Sequence, residues 1–377
     1  MKTTHPNISI FSFFSGSGFL DLGFEKSGFN IVFVNENHQA FLNAYSYSRK
    51  KMGMQPPQFG YNLESIEEYI YGNKIEHLGK LVMTTKGSSL VGFIGGPPCP
   101  DFSNGGKNKG HIGDNGRLTK EYIELISLHK PDFFLLENVK GLWKTEKHRK
   151  FYDEMLNILR DRDYSLTNHL ANALEYGVPQ NRDRIMLFGV HKNLLHNEKN
   201  SNSPLPFNWK ENLTYTSDKI PQKDVWPGKE VFIKDSVKNI PNTLEKFNEL
   251  TVEHWFNKND VTNHPNSIHF FKPKQGLAKF QNIDEGDVSR KSFKRLHRWR
   301  YSPTTAYGNN EVHLHPYKER RLSASEALAI QSMPKDFELP QDMSLSDMFK
   351  TIGNGVPYLM SRTIANDIKT FLFNIIK

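Results

Sequence analysis

The sequence has little of what a secreted or membrane-bound protein needs. Its single cysteine, Cys99, excludes a disulfide within the chain and any multi-cysteine zinc site. No apolar run approaches the ~20 residues of a membrane-spanning helix. The first residues, MKTTHPNISIFSFFSG, lack a long apolar core followed by a small-residue cleavage site. We therefore expect a cytoplasmic protein that does not bind membranes.

The charge balance is basic without being extreme. The 377 residues include 49 Lys and Arg against 41 Asp and Glu, which gives a formal net charge of +8. A basic protein suits a nucleic-acid partner but does not require one. The length allows one large domain or two unequal ones, and the sequence contains no internal repeat and no long low-complexity tract.

Apolar runs alternate with helical patterns through the first half of the chain. Four strands are predicted, at Ile8–Phe14, Ile31–Val34, Leu90–Ile94 and Asp132–Leu136. The alternation predicts an α/β fold with a parallel, doubly wound sheet. Residues suited to binding or catalysis follow the carboxyl ends of these strands: Gly16, Glu36, Cys99 and Glu137. That edge of an open α/β sheet is where ligands bind.

The turn Ser15–Gly18 is a candidate cofactor-binding loop. A strand, a tight glycine turn and a helix N-terminus direct backbone N–H groups and a positive dipole end toward a ligand. Glu36 stands eighteen residues after Gly18, where an acid can accept hydrogen bonds from ribose hydroxyls. The loop lacks the three-glycine fingerprint. Nicotinamide, flavin and S-adenosylmethionine (AdoMet) sites therefore stay open, as does a plain strand–helix turn.

Cys99 follows a stiff turn of two glycines and two prolines, Gly95–Pro98. A lone cysteine is most often a small buried apolar residue, but this turn can hold a thiol at a pocket mouth. A positively charged neighbour would favour the nucleophilic thiolate form of Cys99. Arg182 and Arg184 are candidates for that neighbour, because alternate residues of an extended segment face the same side. Glu137 is a candidate proton donor toward a ring nitrogen, or else a capping or salt-bridging residue.

The character of the sequence changes after about residue 190. Residues 191–319 contain 20 Lys and Arg against 15 Asp and Glu, with weak periodicity, and predict a second domain built on irregular loops. Within it, Arg290–Tyr301 combines six basic residues with three aromatic ones. This cluster is either a patch that contacts DNA phosphates or a solvated basic face. Ser323 and Glu326 have the spacing of a helix capping box.

Together these motifs resemble the bacterial C5-cytosine DNA methyltransferases of restriction–modification systems, over nearly the full length of the chain. Six segments carry the resemblance in the family's order: FSFFSGSGFLDLGFE (11–25), GGPPCPDFS (95–103), LLENV (135–139), YGVPQNRDR (176–184), RRLSASEALAIQSMP (320–334) and IGNGVP (352–357). A long variable region separates the fourth segment from the fifth. Six motifs in the same order are not expected by chance.

The resemblance implies a DNA (cytosine-5-)-methyltransferase that uses AdoMet and no metal. Cys99 would add to carbon 6 of a flipped-out cytosine. Glu137 would bond ring nitrogen 3, and Arg184, with Arg182, the carbonyl oxygen of the base. The implied cofactor-binding residues are Phe14, Gly16, Ser17, Gly18, Phe19, Glu36, Asn62, Pro98, Asn354 and Val356. The expected DNA contacts are Ser103, Arg117, Gln180, Arg295 and Arg298.

The resemblance also implies a domain organisation and partners. We expect a Rossmann-like catalytic domain over residues 1–190, completed by 335–377, and a smaller, irregular target-recognition domain with a hinge over 191–334. The expected partners are double-stranded DNA and a cognate restriction endonuclease, and the chain is expected to be a monomer. Four residues depart from the family's pattern around the cofactor: Ser12, Phe19, Asn37 and Asn62.

Three alternatives stay open at this stage. An enzyme with the same chemistry could act on tRNA, although such relatives have a short variable region and this one is long and basic. A non-catalytic DNA-binding accessory could retain the fold, although Cys99, Glu137 and Arg184 are all present. A nicotinamide oxidoreductase would rest on the glycine loop alone.

Overall fold

The computed structural model describes residues 6–98, 114–144, 146–195, 204–273, 277–290, 292–305, 307 and 311–376. The strands are β1 (Ile8–Phe13), β2 (Asn30–Glu36), β3 (Tyr61–Leu63), β4 (Leu90–Gly95), β5 (Phe133–Val139), β6 (Tyr164–Asn172), β7 (Gln180–Asn181), β8 (Asp183–His191) and β9 (Ser302–Pro303). The helices are α1 (Phe19–Lys26), α2 (Gln39–Lys51), α3 (Ile75–Lys86), α4 (Asp114–His129), α5 (Gly141–Lys144), α6 (Glu146–Asp161), α7 (Val252–Lys258), α8 (Leu277–Gln281), α9 (Ala324–Ile330), α10 (Leu345–Asn354) and α11 (Tyr358–Ile375). None of the helices in these ranges is long and apolar enough to cross a membrane.

A seven-stranded sheet forms the centre of the fold, in the order β3-β2-β1-β4-β5-β8-β6. The predicted doubly wound α/β sheet is confirmed, with one difference from a fully parallel arrangement. Strand β8 runs antiparallel to both β5 and β6. The connection from β6 to β8 contains a short 3-10 helix at Ala173–Tyr176 and the two-residue strand β7. Because a parallel pair needs a crossover of a dozen or more residues, this short connection requires antiparallel pairing.

The central strands are apolar along their whole length because helices cover both faces of the sheet. Every residue of β1 is buried. One hydrophobic core lies between the sheet and helices α3, α4 and α6. The other lies between the sheet and helices α1, α2 and α11. The apolar runs in the sequence therefore form strands whose two faces both pack against helices.

The last helix, α11, packs against the first, α1. Lys369 Nζ donates to the carbonyl of Ser27 at 2.9 Å, and Ser361 Oγ donates to the carbonyl of Leu20. A side chain at Gly23 could not fit, because its Cβ would lie 2.6 Å from the backbone nitrogen of Arg362. The C-terminal segment therefore completes the layer beside β1 and β2.

The region between β8 and α9 is irregular, as the sequence predicts. It contains short helices and several 3-10 turns, and strand β9 pairs with β7 beside the main sheet. A third core joins α7, α9 and α10 through Trp255, Leu328 and Phe349. The predicted capping box forms, because Ser323 accepts from Glu326 N and the Glu326 carboxylate accepts from Ser323 N. The division into two domains stays a prediction.

Arg295 and Arg298 lie inside this irregular region rather than on its surface. Arg295 is fully buried and donates to backbone carbonyls, among them Ile283 at 2.8 Å and Lys318 at 3.0 Å. Burial lowers the pKa of Arg295 to about 10. Arg298 is 2% exposed and donates to the Glu285 carboxylate at 2.8 Å. The donors of these two arginines therefore serve the fold in this structure, and their contact with DNA phosphates stays a prediction.

Replacing Arg298 with Met should destabilise the irregular region by about 3–5 kcal/mol, because the buried Glu285 carboxylate would lose its guanidinium partner and keep, among the described residues, only Lys238 at 3.5 Å as a charged partner. Burial alone would raise the pKa of Glu285, but the hydrogen bonds from Arg298 outweigh it and lower the pKa below its ordinary 4.5. The stability that this pairing contributes is present above pH 4.5 and is lost as the pH falls through the lowered value. Denaturant unfolding at several pH values would measure the loss.

The double variant Arg298→Met/Glu285→Gln is the control. It removes both charges, so it should recover part of the lost free energy. An ordinary surface substitution changes the unfolding free energy by no more than about 0.5 kcal/mol. A change this small for Arg298→Met would contradict the stabilising role of the buried ion pair.

Candidate active site

The carboxyl ends of β1, β2, β4 and β5 meet at one edge of the sheet, as predicted from the sequence. The loop after β1 and the acid that ends β2 contact each other directly, because Gly16 N donates to Glu36 Oε2 at 2.8 Å. At the neighbouring strand ends, Glu137 of β5 lies beside Gly96, the residue that follows β4. The structure therefore brings the candidate cofactor loop and the candidate catalytic acid to the same edge.

The turn Ser15–Gly18 has the backbone that only glycine adopts readily. Gly16 has φ +55° and Gly18 has φ +76°, both in the left-handed region. Gly18 is the N-cap of α1, so the positive end of that helix faces the loop. A Cβ on Gly18 would lie 2.5 Å from the Tyr45 ring. Gly18 is therefore required for its φ and for the space that Tyr45 occupies.

Glu36 is buried and organises the loop. Its Oε2 accepts from Gly16 N, and its Oε1 accepts from Asn37 N and His38 N at 2.9 Å each. Burial raises the pKa of Glu36, and these three hydrogen bonds oppose the rise. A carboxylate has about four acceptor positions, so it can still accept a further donor. Binding of a ribose hydroxyl by Glu36 stays a prediction.

The C-terminal motif reaches the glycine loop through helix α10. Thr351 Oγ1 donates to Ser17 Oγ at 2.8 Å. Asn354 is exposed and Val356 is buried. Phe19 is also buried, and a Cβ on Gly355 would lie 2.5 Å from its ring. The structure therefore brings the two predicted parts of the cofactor site together, although 334 positions separate Ser17 from Thr351.

Three further residues expected to bind the cofactor lie on or just after strands β1, β3 and β4. Phe14 has φ +50° and packs edge-on against Tyr122, with ring centroids 6.1 Å apart. The Asn62 side chain donates to three backbone carbonyls around β3, among them Val34 at 3.2 Å. Pro98 is exposed at the end of the turn after β4. Contact of these side chains with a cofactor stays a prediction.

Glu137 and Arg184 form an ion pair at the centre of the edge. Arg184 Nε lies 2.7 Å from Glu137 Oε1, and both side chains are at most 12% exposed. Burial lowers the pKa of Arg184, and the Glu137 charge opposes this. A Cβ on Gly96 would lie 2.9 Å from Glu137 Oε2. One carboxylate oxygen is thus held by Arg184, and the other lies beside the turn that leads to Cys99.

Arg182 and Gln180 are placed differently from expectation. Arg182 is fully buried and donates to the carbonyls of Thr305 at 3.2 Å and Gly353 at 3.0 Å. Gln180 is fully buried and donates to Gln331 at 3.0 Å. Both side chains therefore join chain segments inside the protein. Neither side chain has exposed surface in this structure, and contact of Arg182 with the base and of Gln180 with DNA stays a prediction.

Of the other expected residues, Arg117 is described and two are not. Arg117 forms ion pairs with Glu67 and with Glu121, the latter at 3.1 Å, and about half of its side chain is exposed. Its contact with DNA stays a prediction. Cys99 and Ser103 lie outside the described residues. Across the described part of the chain, no group of three His, Cys, Asp or Glu residues could hold a metal ion.

Three residues that contact the loops of this edge were not predicted from the sequence. Thr351 directly precedes the motif at 352–357, so its position was a usable signal. Asn138 donates to the Thr119 hydroxyl at 3.3 Å and to the Pro97 carbonyl at 3.5 Å, which links the turn after β4 to helix α4. Arg49 donates to the carbonyl of Gly18 at 2.6 Å. No motif contains Arg49, so its part in the loop is visible only in the structure.

Comparisons with known proteins agree with this geometry. The family described as C-5 cytosine-specific DNA methylase matches residues 8–370. The Type II methyltransferase M.NmeDI of Neisseria meningitidis serogroup C is 53% identical over 369 residues, which are 97% of this chain and 84% of that protein. The Type II methyltransferase M.MthTI of Methanothermobacter thermautotrophicus is 29% identical over 377 residues, 96% of this chain and 97% of that protein.

Solved structures share the fold. A structure described as that of a DNA modification methyltransferase encoded within an E. coli prophage has a TM-score of 0.64 at 21% identity, covering 97% of this chain and 99% of that one. A DNMT2 mutant of Spodoptera frugiperda has a TM-score of 0.56 at 16% identity, covering 97% of this chain and all of that one. The predicted Rossmann-like α/β fold is confirmed.

Replacing Gly18 with Ala should destabilise the protein through two effects. The left-handed φ costs about 1–2 kcal/mol for a residue with a Cβ, and the overlap with the Tyr45 ring adds about 1–3 kcal/mol. Gly60→Ala is a matched control, because Gly60 also has φ +76° but its Cβ would meet nothing within 4 Å. Denaturant unfolding should show a larger loss for Gly18→Ala. Equal losses would contradict the contact with Tyr45.

Proposed function

The chain belongs to the C-5 cytosine-specific DNA methylase family, and on this premise we propose that it methylates carbon 5 of a cytosine within a specific double-stranded DNA sequence. The methyl donor is AdoMet, and the enzyme is the protective partner of a restriction endonuclease in a Type II system. The observation that carries the proposal is the Glu137–Arg184 pair at the sheet edge that also bears the glycine loop.

The residues around the glycine loop fit AdoMet, which supplies the methyl group as a sulfonium. Gly16 leaves one side of the loop open, because a Cβ there would meet only Thr351 Oγ1, at 3.9 Å, among the described residues. The N-terminus of α1 and the Glu36 carboxylate offer the N–H donors and the acceptor that a nucleoside needs. Phe14, Ser17, Phe19, Asn62, Pro98, Asn354 and Val356 would complete the pocket.

Glu137 and Arg184 suit one edge of a cytosine ring. The ring nitrogen 3 and the carbonyl oxygen at carbon 2 are neighbours, so an acid beside a guanidinium matches them. In its protonated form Glu137 would donate a proton to nitrogen 3, and Arg184 would stabilise the negative charge that develops on the oxygen. Both side chains are nearly buried, which strengthens these interactions by excluding water.

Cys99 would be the nucleophile. Its thiolate adds to carbon 6 and forms a C–S bond, while the electrons of the 5,6 double bond make carbon 5 nucleophilic and nitrogen 3 takes the proton from Glu137. Carbon 5 then bonds the methyl group, whose electron pair stays with the departing thioether. A base then removes the carbon 5 proton, the C–H electrons restore the double bond and expel the thiolate, and nitrogen 3 returns its proton to Glu137. No residue is assigned as that base, and water can serve.

The target cytosine must leave the duplex to reach this edge, at a cost of a few kcal/mol of unstacking. Ser103 and Arg117 are proposed to contact DNA around the flipped base. The irregular region between β8 and α9 would provide sequence recognition in the major groove. Because the family is shown, the oxidoreductase alternative based on the glycine loop is excluded.

Replacing Cys99 with Ser should abolish methyl transfer and leave DNA binding nearly unchanged, because a hydroxyl is far less ionised and less nucleophilic than a thiol. Methylation is measured by bisulfite sequencing of DNA from a host that expresses the chain, which also identifies the target sequence. Turnover within tenfold of wild type would contradict the assignment of Cys99.

The covalent step has its own test. With 5-fluorocytosine at the target, the wild-type enzyme should form an adduct that survives a denaturing gel, because fluorine cannot leave as a proton. Cys99→Ser is the matched control and should form none. If AdoMet and DNA bind but no adduct forms, the covalent mechanism is wrong.

Replacing Glu137 with Gln should slow the chemical step by about 100-fold or more with little change in AdoMet affinity. The amide can still donate to ring nitrogen 3 but cannot transfer a proton to it. Single-turnover rates at saturating AdoMet and DNA measure the step, and equilibrium dialysis measures cofactor binding. Collapse of AdoMet binding in this variant would instead make Glu137 a cofactor-binding residue.

A further inference from the structure

We propose that Arg49 is a positioning residue for the cofactor loop: its guanidinium, paired with Glu25, fixes the Gly18 carbonyl and so sets the affinity for AdoMet. The inference rests on the proposed function, because it assumes that the glycine loop binds AdoMet. It concerns residues of α1 and α2 that do not belong to the catalytic edge.

Arg49, on helix α2, contacts the glycine loop Ser15–Gly18. It is 1% exposed, and one terminal nitrogen donates to the Gly18 carbonyl at 2.6 Å. Its Nε lies 2.7 Å from Glu25 Oε2, and its guanidinium carbon lies 4.4 Å from the centre of the Tyr45 ring. Tyr45 in turn donates to Asp21 at 2.9 Å. Asp21, Glu25, Tyr45 and Arg49, which we call the Arg49 cluster, thus connect α2 to α1.

Electrostatics keep Arg49 charged in this buried position. Burial alone would lower the pKa of Arg49, but the charges of Glu25 and Asp21 outweigh it and raise the pKa. Burial raises the pKa of Glu25 to about 7, and the Arg49 charge opposes that rise. A charged donor makes a stronger hydrogen bond to a carbonyl than a neutral one does. The cluster therefore holds Gly18 firmly.

Arg49 is the last of four contacts that tie the loop to β2 and α2. Ser15 Oγ donates to the Asn35 carbonyl at 3.1 Å, and Ser17 Oγ donates to the Phe41 carbonyl at 3.4 Å. Gly16 N donates to Glu36, as described above. Each residue of the loop thus has its own partner. Of these four contacts, the one at Gly18 is made by a charged side chain, that of Arg49, which donates to a carbonyl of the loop.

The Gly18 carbonyl has a second task that makes its position matter. It accepts the first hydrogen bond of helix α1, from Leu22 N at 3.0 Å. Without Arg49 that bond alone would fix the carbonyl, and the N-terminus of α1 could turn relative to Glu36. The N–H groups and helix dipole that face the cofactor would then move. Cofactor affinity should fall, while the DNA-binding surface is unaffected.

The test compares AdoMet binding by wild type with the double variant Arg49→Met/Glu25→Gln. The double variant removes the charges of Arg49 and Glu25 together, and the buried Asp21 keeps its hydrogen bond from Tyr45, so the fold should be retained. We expect AdoMet to bind about 10- to 100-fold more weakly, the range for a lost hydrogen bond to a charged group. The KM for AdoMet should rise accordingly, while kcat at saturating AdoMet and the KM for DNA stay within about twofold.

Two further variants separate positioning from general stability. Arg49→Lys keeps the charge beside Glu25 and should recover part of the affinity. Arg298→Met/Glu285→Gln removes a buried ion pair of the same type in the irregular region between β8 and α9, and should leave AdoMet affinity unchanged. If the Arg49→Met/Glu25→Gln variant binds AdoMet as wild type does, the inference is wrong. If its kcat, DNA binding and unfolding midpoint fall in proportion to its AdoMet affinity, Arg49 is only structural and the inference is also wrong.

The wild-type protein distinguishes this inference from the function on which it rests. Failure of the wild type to bind AdoMet by equilibrium dialysis would overturn the proposed function and the inference together. If the wild type binds AdoMet and the double variant Arg49→Met/Glu25→Gln binds it equally well, only the inference is overturned.

Discussion

The buried guanidinium of Arg182 is the interaction on which the arrangement of the active-site edge depends. A buried charge needs hydrogen-bond acceptors, and the terminal nitrogens of Arg182 find them in the carbonyls of Thr305, Gly353 and Asn354, while its Nε has no partner among the described residues. These belong to the segment that returns from the irregular region and to the end of α10. One side chain thereby joins three parts of the chain that are more than 40 positions apart in sequence. Arg184, two residues further along, follows the same backbone and meets Glu137.

This construction explains why the motif at 176–184 contains two arginines with different tasks. Arg182, just before β8, is enclosed by the protein, and Arg184 on β8 faces the acid that ends β5. A neutral residue at Arg182 would leave several backbone carbonyls buried without donors, at about 1–3 kcal/mol each. The position of Arg184 thus depends on contacts that never touch the substrate.

Much of the fold could be predicted from the sequence because its determinants are local. Apolar runs identify buried strands, and the spacing of Ser323 and Glu326 identifies a helix start. The edge that bears Gly16, Glu36 and Glu137 follows from strand direction alone. The tasks of Arg182, Arg295 and Arg298 could not be predicted, since a basic residue looks the same in sequence whether carbonyls or water surround it. The antiparallel β8 was missed because it depends on the length of a connection.

The packing of α11 on α1 bears on the order of events during synthesis. Helix α1 and the glycine loop leave the ribosome well before α11, their neighbour on one side, which is made more than 300 residues later. At about 5–20 residues per second, the nascent chain waits at least ~15 s with the apolar face of α1 uncovered. A growing chain therefore cannot complete the layer that supports its glycine loop until α11 has been made and packs against α1.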